Sequence, residues 1–239
     1  MKIIQEPQVL GSIPLLLFYP SSFENAVARG CVLFFHGLGA SKEEHILELS
    51  RLAKSGFLVV SIDNVGHGER RYQDFDGRFS AANPQRDQEF LNVILQTKKE
   101  VPGIIESLER KKQIRLKKIG VAGVSLGGFI AYSAMLEEPE FKAASVILGS
   151  PKWRVDHPES PHHHAHRFFP VALLSQNAGR DSIVPPCFAK EFHQKLEHHY
   201  EERPERQKYI EYPHSEHFML LEDWMRCWQE LTQWFEKFL

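Results

Sequence analysis

Apolar positions along the chain recur in two patterns. Short solid blocks at Cys31–Phe35, 57–62, Ile119–Val124, 144–148 and 171–175 carry no polar face, as strands buried on both sides of a sheet do. Between them lie longer stretches whose apolar residues return every three to four positions, the spacing of helices with one buried face. These predict helices from about Asp87 to Arg110, kinked at Pro102, from Leu126 to Leu136, over 186–199, and from Phe218 to the C-terminus. Residues 2–9 and 13–19 alternate around Gly11-Ser12 and predict an edge hairpin, and a last strand is expected over 208–212. Ser41-Lys42-Glu43-Glu44 reads as a capping box opening a helix that runs to Ser55 and ends at Gly56. Residues 64–86 form a polar loop, and 151–170 are irregular and rich in proline and histidine. Strands alternating with helices make βαβ units, so the fold class is α/β with a mostly parallel sheet of about eight strands and an N-terminal antiparallel hairpin. With neither repeat nor low-complexity linker, residues 1–239 are expected to form one domain, with 151–170 as a short cap-like insert.

Bulk properties narrow the function classes. The chain has 239 residues, 42% of them hydrophobic, enough for a substantial core. Its 29 basic and 31 acidic residues are dispersed, and the formal net charge is −2, so neither nucleic acid nor an anionic membrane is the expected partner. The basic run at 110–118 sits where a helix hands over to a strand and reads as a solvated helix end. Cys31, Cys187 and Cys227 are odd in number and lack metal-site spacing. No signal-peptide h-region or membrane span is legible, and the expectation is a soluble, cytoplasmic protein. Oligomeric state is not readable.

The chemistry concentrates at Gly123-Val124-Ser125-Leu126-Gly127, a G-x-S-x-G run that ends a predicted strand and opens a predicted helix. A sharp strand-to-helix turn of this kind holds a serine in a strained conformation with its hydroxyl exposed above the sheet. A serine nucleophile needs a general base, and the base needs a partner that fixes its tautomer. The catalytic groups of an open α/β sheet gather beyond the carboxyl ends of its strands. Of the 13 histidines, His36, His214 and His217 follow strands directly. His217, between the last strand and the last helix, is the first choice for the base, with His214 second. Asp181, in the loop after strand 171–175, is preferred as the acid over Asp156 in the insert, Asp223 inside the last helix, and Asp63, which comes too early in the chain.

The order Ser125, Asp181, His217 resembles that of the α/β-hydrolase superfamily, and the likeness runs from Phe34-Phe35-His36-Gly37-Leu38-Gly39 to the terminal helix. It is most similar to the branch of dienelactone hydrolases and prolyl-oligopeptidase-like serine enzymes, small carboxylesterases included. Dienelactone hydrolases proper carry a cysteine nucleophile where this chain has Ser125, which favours ordinary ester chemistry. The resemblance implies an oxyanion hole of two backbone amides, Leu38 and Leu126, with His36 shaping the loop. Asn64-Val65-Gly66-His67-Gly68-Glu69-Arg70 resembles a supporting loop of the superfamily, with His67 and Arg70 as candidates for the mouth of the site. Trp153, Phe168 and Phe169 are expected to wall an acyl or alkyl pocket. His162, His163, His164 and His166 invite a metal, but adjacent ligands on an extended segment point apart, and none is expected. The implied activity is cofactor-free hydrolysis of small carboxylic esters through an acyl-enzyme. A peptidase, a thioesterase or a non-catalytic binding protein of the same fold are the alternatives.

Overall fold

A computed structural model describes residues 2–137 and 141–239. Eight strands form one sheet in the order β1-β2-β4-β3-β5-β6-β7-β8: β1 Ile4–Leu10, β2 Ile13–Tyr19, β3 Cys31–Phe35, β4 Leu58–Ile62, β5 Ile119–Val124, β6 Phe141–Ile147, β7 Ala172–Ala178 and β8 Gln207–Tyr212. β1 and β2 pair antiparallel, as do β2 and β4, while every pairing from β4 across to β8 is parallel. The central strands are buried on both sides, which explains their solid apolar runs. In β3, Leu33 and Phe35 belong to one core, and Val32 and Phe34 to the other.

Helices cover both faces. α4 (Arg86–Lys112), α5 (Leu126–Glu137) and α6 (Cys187–His199) close one core, and α2 (Ile46–Lys54) and α7 (Leu221–Phe238) the other. The β3–β5 crossover spans the order reversal of the sheet, and Ser125 and the loop after Phe35 meet at this carboxyl edge.

Three local expectations fail for identifiable reasons. The helix expected from Ser41 begins only at Ile46, because Lys42 is pulled into the protein. Its amide donates to Asp63 Oδ1 at 2.8 Å, and its ammonium, 2% exposed, reaches Asp63 Oδ2 at 3.2 Å and Glu69 at 2.5 Å. Ser41 Oγ instead donates to Glu43 Oε2 at 2.7 Å in the turn that precedes the helix. A short helix α1 (Phe23–Arg29) went unread because it buries only Ala26; its signal is the Ser22 hydroxyl accepting from the Asn25 amide. Inside the supposed loop 64–86, one turn, α3 (Phe75–Arg78), packs Phe75 and Phe79 into the core. Among the described residues no helix is long and apolar enough to cross a membrane.

Candidate active site

Ser125 lies between β5 and α5 with φ 54°, a left-handed conformation that costs a non-glycine residue about 1–3 kcal/mol. The neighbouring glycines allow this turn to close. A Cβ on Gly123 would stand 2.1 Å from the Gly127 carbonyl oxygen, and one on Gly127 would stand 1.9 Å from that of Phe35. The Ser125 amide donates to Ile147 O of β6 at 2.9 Å, and its carbonyl accepts the Gly128 and Phe129 amides. The backbone is thus held on both sides and the hydroxyl is left at the top of the sheet.

The hydroxyl donates to His217 Nε2 at 3.0 Å, and His217 Nδ1 donates to Asp181 Oδ2 at 2.7 Å. The other Asp181 oxygen accepts two backbone amides, Ile183 and Val184, each at 2.8 Å. The carboxylate is therefore fixed in rotation, its chain reaching it from the end of β7. Two further bonds tie its turn to the histidine loop: Gly179 N to Tyr212 O at 2.8 Å and Arg180 N to Ser215 O at 3.0 Å. The Ser215 hydroxyl donates to Asp223 Oδ2 at 2.7 Å and accepts the Leu220 amide at 3.1 Å, staking down the loop that carries His217. Asp223 thus supports the histidine loop from the first turn of α7. His214 is exposed, Asp156 is fully exposed, and Asp63 is spent on Lys42 and the Glu69 amide.

The loop after β3 crosses over the serine, with Gly37 against Ser125 Cβ. His36 shapes that loop. Its Nδ1 donates to the Gly37 carbonyl at 2.8 Å and its Nε2 accepts the Asn64 amide at 3.1 Å, a fully used neutral ring. Burial pushes its pKa down to about 3, which removes it as a base at neutral pH. Leu126 is the first residue of α5, so its amide has no acceptor within the helix. Among the described residues none accepts the Leu38 amide either. Two N–H groups, one at the start of α5 beside Ser125 and one in the loop that crosses it, are thus without an acceptor among the described residues.

These groups open into a cavity of about 500 Å³ whose apolar wall includes Phe90, Leu148, Val184, Met219 and Trp224. Phe218, directly after His217, is 89% exposed and stands at its mouth. None of the five side chains predicted to wall the pocket or flank its mouth is on this wall, and Phe169 packs instead on Tyr200 with ring centroids 5.4 Å apart. His67 is buried under α3, packed on Phe75 with ring centroids 4.9 Å apart, its Nδ1 donating to Val65 O. Phe168 is completely buried against Tyr132 and Phe192 in the core, and Trp153 is buried beside His157. Arg70 is held by Glu100 and the Asp63 carbonyl. The insert folds inward, because Lys98 of α4, only 2% exposed, grips Glu159 at 2.6 Å and Glu137 at 2.7 Å. From the insert only Arg154 reaches the cavity, pinned by Asp87 and the Ile183 carbonyl. In the histidine run, His162 pairs with the Ser160 hydroxyl and stacks on His163, and His164 bonds the Pro158 carbonyl. The wall residues Phe90, Met219 and Trp224 went unread, since helical periodicity gives them the same signal as core positions.

Known proteins bear on this arrangement. A family model described as serine aminopeptidase, S33, matches residues 26–237. YitV of Bacillus subtilis, to which an esterase activity is ascribed by name, is 24% identical over 263 aligned positions that span 98% of each chain. Esterase YjfP of Escherichia coli is 25% identical over 145 residues, 61% of this chain and 55% of its own. The crystal structure of TT1662 from Thermus thermophilus superposes with a TM-score of 0.80 at 25% identity, covering 99% of both chains. The family match takes in the sheet from β3 onward, the serine turn, the acid turn and the histidine loop, and the chain belongs to the serine aminopeptidase S33 family of α/β hydrolases.

Proposed function

We propose that the protein is a serine esterase that hydrolyses small carboxylic esters through an acyl-enzyme. The observation that carries this reading is the unbroken hydrogen-bonded chain from Ser125 through His217 to Asp181 at the floor of a mainly apolar cavity. Ser125 Oγ bonds to the ester carbonyl carbon as its proton passes to His217 Nε2. Asp181 holds the imidazolium that results and keeps its Nδ1 protonated. The Leu38 and Leu126 amides stabilise the oxyanion; losing one such donor typically costs about 3 kcal/mol. His217 then protonates the departing alkoxide as the C–O bond breaks. Water, deprotonated by the same ring, attacks the acyl carbon, and Ser125 regains its proton as the carboxylic acid leaves. The scheme requires no metal or organic cofactor. Esterase names among the relatives support ester over peptide bonds, while the family description supports a peptidase using the same three residues.

The test is hydrolysis of p-nitrophenyl esters from acetate to decanoate beside an acyl thioester and an aminoacyl anilide, with Ser125→Ala as control and fluorophosphonate labelling in parallel. Ester turnover abolished in the alanine variant is the expected result. Labelling with turnover of the anilide alone replaces esterase by peptidase. Absence of both labelling and turnover removes the hydrolase reading.

A further inference from the structure

The cavity wall carries a second histidine that the hydrolytic scheme leaves unused. His45 occupies the N-cap position of α2, where an imidazole nitrogen can accept a first-turn amide, yet it makes no such bond. Its ring lies among Phe34, Trp224 and Trp228, with centroids 5.5, 5.4 and 5.7 Å away. Trp224 is itself oriented by its Nε1 donating to Glu48 at 3.1 Å, so the aromatic enclosure is fixed. Among the described residues no group hydrogen-bonds to either ring nitrogen, and neither nitrogen is sealed from solvent. The residue lines the cavity that holds Ser125 and His217. Burial lowers the pKa of this imidazole below its ordinary value, so near neutral pH it offers one donor and one acceptor. Glu44, adjacent in sequence and exposed, lines the same cavity and acts electrostatically on this imidazole, and among the described residues its carboxylate has no hydrogen-bond or ion-pair partner.

An uncharged donor beside a carboxylate acceptor, backed by aromatic faces, suits one chemistry above others. A hydroxyl group accepts from the imidazole N–H and donates to the carboxylate. Glu44 disfavours a substrate carboxylate at this point of the cavity, where Arg86 and Arg154 supply the positive charge elsewhere on the wall, and an alkyl group would offer nothing to the half-buried imidazole nitrogens. We propose that His45, with Glu44 beside it, is the specificity-determining element of this site. It binds a hydroxyl on the substrate, so hydroxylated esters are taken ahead of plain alkyl esters. This assignment rests on Ser125 being a hydrolytic nucleophile. The hydroxyl belongs either to the alcohol half, as in a monoacyl polyol, or to the acyl half, as in a hydroxy acid.

The experiment measures kcat/KM by pH-stat for ethyl butyrate, 2-hydroxyethyl butyrate and ethyl 3-hydroxybutyrate with the full-length protein. Each hydroxylated ester is expressed as a ratio to ethyl butyrate within one variant, which cancels any general loss of activity or folded fraction. Wild type is expected to favour one hydroxylated ester roughly tenfold, the worth of a partly solvated hydrogen-bond pair, and which ester it is reports the half that carries the hydroxyl. His45→Phe, which keeps a ring between the tryptophans, brings that ratio near one. His45→Leu does the same should phenylalanine fold poorly. His45→Gln keeps part of the preference, and Glu44→Gln reduces it. A wild-type ratio near one for both hydroxylated esters overturns the assignment, as does a preference that survives in His45→Phe. If no ester is turned over and fluorophosphonate fails to label Ser125, the hydrolase reading falls and takes this assignment with it. Labelling of Ser125 without a hydroxyl preference removes only the role of His45.

Discussion

Asp181→Asn is the sharpest test of the Ser125–His217–Asp181 chain, because the surrounding bonds dictate how the asparagine must sit. In the wild type Oδ1 accepts the Ile183 and Val184 amides at 2.8 Å each, and Oδ2 accepts from His217 Nδ1 at 2.7 Å. An asparagine has one acceptor and one donor end. Placing its NH₂ toward two backbone N–H groups would forfeit two hydrogen bonds worth about 1 kcal/mol each and set donors against donors. The carbonyl oxygen therefore keeps the backbone amides, and the NH₂ faces His217. His217 must then accept at Nδ1 and carry its proton on Nε2, 3.0 Å from Ser125 Oγ, where a general base has to be unprotonated. A wrong tautomer in a Ser-His-Asp triad lowers kcat by about 10⁴, or roughly 5.5 kcal/mol in the barrier. The assay is kcat/KM on p-nitrophenyl butyrate beside the rate of fluorophosphonate labelling, with melting temperature as the check on folding. Both rates should fall together while the melting temperature barely moves. A folded Asp181→Asn enzyme within about tenfold of wild type would refute the tautomer argument, since that argument requires about 10⁴.

Three further outcomes follow from the packing. Gly127→Ala places a methyl 1.9 Å from the Phe35 carbonyl oxygen, so backbone must move; a loss of roughly 3 kcal/mol or more is expected, read as a melting-temperature drop of about 6–12 °C together with lost activity. Phe168→Ala empties a completely buried ring site and should cost about 3–5 kcal/mol by denaturant unfolding; because Phe168 is off the cavity wall, a change confined to KM at unchanged stability would contradict its placement in the core. Lys98→Met removes the cation that holds Glu159 and should expose 151–170 to limited proteolysis. The hydrogen bond from Lys98 keeps the Glu159 carboxyl below its ordinary 4.5, so the wild type's advantage is complete above that pH and disappears as pH falls through the lowered value. A wild-type advantage that instead grows on acidification would contradict the pairing.

Local spacing and chain order were enough for much of this molecule. Solid apolar runs predicted β3 to β7 because a strand covered on both faces has no polar side to show. The glycines at 123 and 127 mark the serine turn because their demand, backbone against backbone, is local and excludes a side chain at those positions. Ser125, Asp181 and His217 were each readable as the residue just past a strand, and parallel strands deliver such residues to one edge of the sheet.

What depended on approach between distant segments was not readable. Lys42 looked like a helix-start residue until Asp63, 21 positions away, drew it inward and delayed α2. Trp153 and Phe168 looked like pocket lining because aromatic residues in an irregular insert give no sign of which way they face. The grip of Lys98 on Glu159, 61 residues further on, accompanies an insert folded into the core. The cavity wall joins Phe90 of α4, Leu148 after β6, Val184 beyond the acid turn and Trp224 of α7, with His45 from the start of α2. Periodicity records that a side chain is covered, and the tertiary structure alone decides whether protein or substrate covers it, because that turns on how far apart five separate chain segments come to rest.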